Sequence, residues 1–271
     1  MPVDDNSPAA QVQLAYEPSE YADPAKPFHP SDYPAYSIKE LPKRVFLIVA
    51  NEAGERFCFY GFRANLAVYC KNVLGYSETT ATSIYGYFIS FSYLTPLLGG
   101  YISDSYLGFF KTIVPFSLAY IVGMAMLGCS AYLAHPRLLA LLSLALIGLG
   151  TGGIKPCVSS FGCSQIVSDN PNALTTFFNI FYFAINFGSI FGAVTPSITK
   201  AVGYGPAFFV SCGVLLAATL ILISGYSFYV HKNPEGSMLV KLIQLIYYAF
   251  KRRRVSTPFE REELLRMKAA S

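Results

Sequence analysis

The sequence has no tryptophan, few histidines and little charge, and these shortages exclude several classes of protein. Charged residues make up 13% of the 271 residues, whereas soluble domains carry about 25%. His29, His135 and His231 are too scattered for a metal site, and no cysteine pair has C-x-x-C spacing. No nucleophile–base arrangement and no basic-aromatic stripe appears either. We therefore predict no enzyme, no metal or other cofactor, and no nucleic-acid partner.

Apolar residues are abundant: 53% of the chain is hydrophobic and the mean hydropathy is +0.42. A chain of this size cannot hide so much apolar surface in one soluble core. A helix that crosses a bilayer needs roughly 20 apolar residues, and period-two alternation, the mark of a membrane barrel, is missing. We therefore predict an all-α membrane protein, a bundle of six transmembrane helices. The predicted spans are 43–69, 80–103, 111–133, 138–163, 174–199 and 206–230.

Polar segments flank these spans and divide the chain into three parts. Residues 1–40 are predicted to be a disordered tail, 41–231 the helical bundle, and 232–271 a linker that contains an amphipathic helix with a basic end. That helix fits either a membrane surface or a solvated linker. Lys and Arg near the span ends collect on the side of both termini, which predicts that both termini are cytoplasmic.

The first span carries charge inside an apolar helix. Glu52, Glu55, Arg56, Tyr60 and Arg63 recur at i, i+3, i+4 spacing and share one face. Charge at mid-bilayer costs at least about 2.5–3.5 kcal/mol per side chain, so this face meets a partner or a wet cavity. A structural Glu52–Arg56 ion pair is the alternative for this stripe. For Arg63 the alternative is snorkelling to the membrane surface.

The fourth span contains a lone Lys155, for which the carboxylates of the first span are the nearest expected anions. Gly148, Gly150 and Gly153 match the G-x-G-x-x-G nucleotide fingerprint. We reject that match because no strand precedes it, and interpret these small residues as a close helix contact. In the fifth span, Asn186 faces the same cavity or makes a hydrogen bond between helices.

Four local patterns then resemble the proton-dependent oligopeptide transporter family of the major facilitator superfamily. They are Glu52-x-x-Glu55-Arg56-Phe57-x-x-Tyr60-Gly61, the Gly99–Gly108 segment with Thr112-Ile113, Gly150-Thr-Gly152-Gly153-Ile-Lys155-Pro156, and Phe181-Tyr182-x-x-Ile185-Asn186-x-Gly188. They occur in the family's order between residues 40 and 230.

The resemblance implies proton-coupled symport of di- and tripeptides at the plasma membrane, by the N-terminal half of a major facilitator fold. It assigns proton coupling to Glu52, Glu55, Arg56 and Arg63. It assigns peptide binding to Arg56, Tyr60, Tyr93, Lys155 and Asn186, with Arg56 and Lys155 on the peptide carboxylate. It gives Asp104 a role in securing the cytoplasmic gate.

Three departures qualify the resemblance. Phe59 stands where the family usually has a tyrosine, and Ser164-Gln165 where an Asp-Gln pair is usual. The chain also resembles only six of the family's twelve helices, so we expect a fragment, a truncated product or half of an assembly. Its partners would then be membrane lipid and a C-terminal half or another copy. Two other functions stay open: nitrate or other anion transport, and a non-transporting remnant that regulates membrane proteins.

Overall fold

The computed structural model describes residues 34–168, 170–231, 234, 236 and 238–253, and these residues form an all-helical bundle. A π-helical turn, Ser103–Leu107, and the 3-10 turns Ile38–Glu40 and Tyr226–Phe228 connect or flank the longer elements. The α-helices are α1 Lys43–Asn72, α2 Glu78–Ile102, α3 Phe109–Ser130, α4 Arg137–Ser164, α5 Asn172–Gly192, α6 Thr195–Val202, α7 Tyr204–Ser224 and α8 Met238–Arg253.

The predicted all-α bundle of six spans is confirmed for the described part of the chain. Four segments are long and apolar enough to cross a membrane: α3, α4, Asn172–Val202 and α7. The helices α1 and α2 contain 30 and 25 residues, which at 1.5 Å per residue is also long enough for a crossing. They are less apolar because α1 carries the charged stripe and α2 is rich in threonine, serine and tyrosine.

The fifth predicted span is interrupted rather than one continuous α-helix. It divides into α5 and α6 between Gly192 and Thr195, and Pro196 is the second residue of α6. Proline has no N–H to donate to the carbonyl of Gly192, and its ring crowds that carbonyl, so the helix breaks there. The last span is shorter than predicted, since α7 ends at Ser224 and a 3-10 turn follows.

The helix α1 is enclosed by the others and contacts α2, α4, α5, α6 and α7. Small residues permit these close crossings. A Cβ on Gly192 of α5 would lie 2.7 Å from the Phe57 carbonyl oxygen of α1. The glycines of α4 have the packing role that the sequence predicted: Gly153 contacts Gly99 of α2 and Phe116 of α3.

The domain boundaries stay predictions. Most of the predicted tail 1–40 lies outside the described residues, as do residues 254–271. A helix does occur in the predicted linker, as α8, and its side chains from Leu242 to Tyr248 are exposed.

We predict that Gly99→Ala lowers the stability of the bundle by about 1–3 kcal/mol, the usual cost of overpacking. The new methyl group would lie 2.5 Å from the Gly153 carbonyl oxygen and 2.6 Å from its Cα, which are backbone atoms that cannot swing away. Gly86→Ala on the same helix is the control because its methyl group would meet no atom within 4 Å. Thermal unfolding of both variants in detergent measures the difference, and equal midpoints would contradict this packing.

Candidate functional site

The charged stripe of α1 faces the interior of the bundle, as predicted. Glu52, Glu55 and Arg56 are 4%, 1% and 9% exposed. Arg56 Nε donates a 2.8 Å hydrogen bond to Glu52 Oε1, and Arg56 Nη2 lies 2.7 Å from Glu55 Oε2. One guanidinium thus forms ion pairs with two buried carboxylates. The Glu52–Arg56 pair considered as a structural alternative is present, but it is half of a three-residue cluster rather than a separate pair.

The second oxygen of Glu55 contacts a residue that sequence reasoning did not single out. Thr151 Oγ1, on α4, donates a 2.7 Å hydrogen bond to Glu55 Oε1. Thr151 lies four residues before Lys155, so both side chains are on one face of α4. That spacing was the available signal, but threonine is so common in apolar helices that the spacing alone predicts no role.

Lys155 has other neighbours than those expected. Its ammonium Nζ lies 4.5 Å from the centre of the Phe59 ring and 4.8 Å from the centre of the Tyr93 ring. Glu55 and Glu52, the expected anions, act on Lys155 electrostatically from a distance, since within the described residues the ion pairs shorter than 4.0 Å do not include Lys155. The groups that stabilise its charge at close range are aromatic faces.

Three cationic side chains lie close to the Phe59 ring. The guanidinium carbons of Arg56 and Arg63 lie 5.9 and 6.0 Å from its centre, and Lys155 is closer still. The ring is buried, and Tyr60 packs edge-on against it with 5.5 Å between centroids. The position that departs from the resembled family therefore lies at the centre of the cationic part of the site.

Arg63 points into the bundle and does not snorkel. Its Nε donates a 2.6 Å hydrogen bond to the Tyr85 hydroxyl of α2, and its guanidinium also lies over the Tyr85 ring at 5.6 Å. Sequence reasoning missed Tyr85, because no periodicity within one helix predicts which residue of another helix faces it.

The remaining predicted residues are more exposed. Tyr93, next to Lys155, is 65% exposed and lies at the open side of the cluster. Asn186 is exposed, and its amide donates to the Tyr182 carbonyl one turn earlier in its own helix. In the described part of the chain the hydrogen bond of Asn186 thus lies within its own helix rather than between helices, and its place in the cavity stays a prediction.

Asp104 lies apart from the cluster, in the π-helical turn after α2. Its carboxylate accepts a 3.2 Å hydrogen bond from Ser103, and its carbonyl oxygen accepts one of 3.1 Å from the Gly236 N–H. It lines a cavity of about 700 Å³ together with Pro156 and Ser164. None of the charged residues of the buried cluster lines this cavity, so the gate assignment of Asp104 concerns a separate region.

Gln165, which follows the departing Ser164, has a packing role at the same end of the bundle. The buried Gln165 side chain exchanges hydrogen bonds of 2.8 and 3.0 Å with the Val230 backbone. The Arg44 guanidinium donates to the Gln165 carbonyl at 3.0 Å. These contacts tie the end of α4 to the beginning of α1 and to the segment after α7.

At the opposite end, Lys71 donates a 2.9 Å hydrogen bond to Glu78, and that hydrogen bond holds the pKa of the Glu78 carboxyl below its ordinary value. Both side chains are exposed. In the described part of the chain no group of three or more histidine, cysteine, aspartate or glutamate residues could hold a metal ion.

We predict that Arg56→Ala destabilises the bundle by about 3–5 kcal/mol, because it leaves two buried carboxylates without their shared partner. Arg56→Lys should fall between this variant and the native chain, since one ammonium cannot replace a fork that reaches both acids. Thermal unfolding at neutral pH measures the loss. Lys71→Ala is the control, because breaking an exposed pair costs far less than breaking a buried one. Equal losses for Arg56→Ala and Lys71→Ala would contradict the cluster.

Comparison with known proteins agrees with this architecture. The family model described as PTR2, POT family, matches residues 110–269. The chain is 37% identical over 235 residues to solute carrier family 15 member 1 of Rattus norvegicus, covering 78% of this chain and 33% of the relative. It is 38% identical over 231 residues to peptide transporter family 2 of Caenorhabditis elegans, covering 81% of this chain and 29% of the relative. The chain thus spans about a third of the length of these curated relatives.

Solved structures give the same answer for the fold. A crystal structure of the POT family transporter PepTSo has a TM-score of 0.68 and 36% identity, covering 73% of this chain and 40% of that one. A proton dependent oligopeptide (POT) family transporter has a TM-score of 0.64 and 35% identity, covering 74% and 45%. These matches confirm the expected fold, that of one half of a major facilitator protein. They also agree with an integral membrane protein.

Proposed function

Because the chain belongs to the POT family, we propose that it provides the proton- and carboxylate-binding half of a symporter of di- and tripeptides. One observation carries the proposal: a buried arginine bridges two carboxylates beside an ammonium that has no carboxylate partner within 4.0 Å in the described part of the chain. The ammonium of such a site is available to one more anionic group. The carboxylate of a peptide is that group.

The electrostatics link the peptide to the proton. Glu52, Glu55, Arg56 and Lys155 sum to zero charge, and Arg63 beside Phe59 adds one positive charge that an arriving carboxylate offsets. It competes with the two glutamates for Arg56, and a glutamate that loses its cation is more readily protonated. The linkage is reciprocal, so proton uptake also strengthens the binding of the peptide carboxylate.

Lys155 is the first cation that an anion entering past Tyr93 would reach. Tyr93 is exposed and Lys155 is partly buried against its ring, whereas Arg56 is buried behind them. Within this proposal Lys155 captures the peptide carboxylate and Arg56 transmits its charge to the glutamates. The two cations thus have different roles in the proposal, Lys155 in capture and Arg56 in coupling.

The cellular setting belongs to the proposal as well. A second six-helix half, or another copy of this chain, would cover the open side of the cluster and contribute a group for the peptide amine. The bias of lysine and arginine supports cytoplasmic termini, with Asp104 at the cytoplasmic gate. The plasma membrane is the proposed location. The known relatives named above are transporters, which supports a transport role over an enzymatic one.

We predict that Glu55→Gln, in this chain joined to a matching C-terminal half, abolishes proton-driven accumulation of a dipeptide. Glutamine keeps the shape of the side chain but cannot exchange a proton. Uptake into proteoliposomes with an inward proton gradient should fall to the level of protein-free vesicles. Glu78→Gln, at an exposed helix end, should keep full uptake. Undiminished, gradient-dependent uptake by Glu55→Gln would refute the coupling role.

The same proteoliposomes separate the other functions. Uptake of nitrate in place of a dipeptide would favour anion transport on the same fold, because an Arg/Lys site binds anions generally. If the 271-residue chain is inactive alone and also when joined to the second half, a regulatory protein would be the better description.

We further predict that Lys155→Gln weakens the binding of a dipeptide about 10- to 100-fold, the equivalent of one charge-assisted hydrogen bond of about 1.5–3 kcal/mol. The same dipeptide with an amidated C-terminus should bind weakly to the native protein and lose little further affinity in the variant. Competition binding with both ligands measures the coupling between lysine and carboxylate. Equal losses for acid and amide would show that Lys155 does not contact the carboxylate.

A further inference from the structure

The hydroxyl of Thr151 joins the two helices that carry the charged cluster. Thr151 and Glu55 are 0% and 1% exposed, and the 2.7 Å bond from Thr151 Oγ1 ends on Glu55 Oε1. In the described part of the chain it is the only hydrogen bond between side chains of α1 and α4. It connects the helix of the carboxylates with the helix of Lys155.

This bond is unusual for a threonine in an apolar helix. Such a hydroxyl ordinarily donates to the carbonyl four residues earlier, as Thr219 does to Leu215 and Thr199 to Thr195. Thr151 gives its one proton to a carboxylate of another helix instead. A charged acceptor strengthens the bond, and burial keeps water from competing for it.

The two oxygens of Glu55 differ in what their neighbours can do. Oε2 lies against the Arg56 guanidinium, which has donors and no acceptor. A proton placed on Oε2 would point at those donors and find no partner. Oε1 lies against a hydroxyl, which can rotate and present its oxygen as an acceptor. A proton that arrives at Glu55 is therefore accommodated on Oε1.

We propose that Thr151 is a positioning residue for the proton on Glu55: its hydroxyl donates to the ionised carboxylate and accepts from the protonated one. The bond between α1 and α4 then persists in both states but reverses direction. Protonation of Glu55 thus changes which of the two groups donates in the hydrogen bond to α4, the helix that carries Lys155. This functional meaning rests on the proposed symport, whereas the hydrogen bond itself does not.

Other titratable or charged groups interact electrostatically with Glu55, and the experiment has to keep them constant. They are Glu52, Arg56 and Cys58 of α1, Tyr120 of α3 and Lys155 of α4. Substitutions at Thr151 leave all of these groups in place and change no charge.

The test compares Thr151→Val, which replaces the hydroxyl by a methyl group of similar size, with Thr151→Ser, which keeps the hydroxyl. The full 271-residue chain is placed in lipid nanodiscs and titrated by infrared difference spectroscopy. The carbonyl band of protonated Glu55 is identified as the band that Glu55→Gln removes.

We expect Thr151→Ser to keep the native band position and pH profile. Thr151→Val should move the band to the higher frequency of a carboxyl group without a hydrogen-bond acceptor. Its profile should move to higher pH by roughly tenfold in proton concentration, because the ionised form loses a charge-assisted hydrogen bond, the stronger of the two kinds. A native band and profile in Thr151→Val would overturn the proposal.

A second pair of variants keeps the test informative if Thr151→Val misfolds. Ser and Ala at this position differ by the hydroxyl alone, so Thr151→Ala should reproduce the shift and Thr151→Ser should not. Shifted spectra together with unchanged uptake in Glu55→Gln would support the hydrogen bond and refute the transport role. Unchanged spectra together with abolished uptake in Glu55→Gln would do the reverse.

Discussion

The interaction on which the structure depends is the contact of Arg56 with two buried carboxylates. An ionised carboxylate in an apolar interior is costly unless a cation and further hydrogen bonds satisfy it. Glu52 and Glu55 meet this requirement with one guanidinium and one threonine hydroxyl. Because the cluster must be kept from lipid, α1 has to be surrounded, and the glycines at its crossings with neighbouring helices let them approach closely enough.

The anionic and cationic parts of the cluster have different kinds of neighbours, and this difference decides where an incoming anion can bind. The cluster's carboxylates contact Arg56 and Thr151 directly, whereas the close contacts of Lys155 in the described part of the chain are ring faces. A ring face attracts a cation without using up its N–H donors. An incoming carboxylate can therefore bind Lys155 without first breaking an ion pair. A phenylalanine at position 59 suits this arrangement, since a tyrosine hydroxyl there would add a competing acceptor near the ammonium.

Sequence periodicity predicted the features that a single helix determines by itself, such as its length and which residues share a face. The lengths of the apolar runs placed α1 to α4 within a few residues, and the i, i+4 rule anticipated the Glu52–Arg56 contact. It did not predict contacts between helices, because the rotation and depth of each helix are set by packing against all the others. Lys155 on the Tyr93 ring and Arg63 on Tyr85 are both of this kind. The break at Pro196 was different, since proline is a local signal whose weight was underestimated within an apolar run.

Whether a contact could be predicted depends on the free-energy cost of leaving the buried group without it. A buried charge is so expensive that its sequence position alone requires an interior partner, and the prediction that the α1 stripe faces inward was safe for that reason. The identity of a neutral partner carries no comparable penalty, since a threonine hydroxyl can always turn to its own helix. Only the structure shows that the Thr151 hydroxyl donates to Glu55 rather than to a carbonyl of its own helix. A hydroxyl that forgoes its default hydrogen bond for a buried carboxylate is therefore a stronger indication of a site than another charge in the same helix would be.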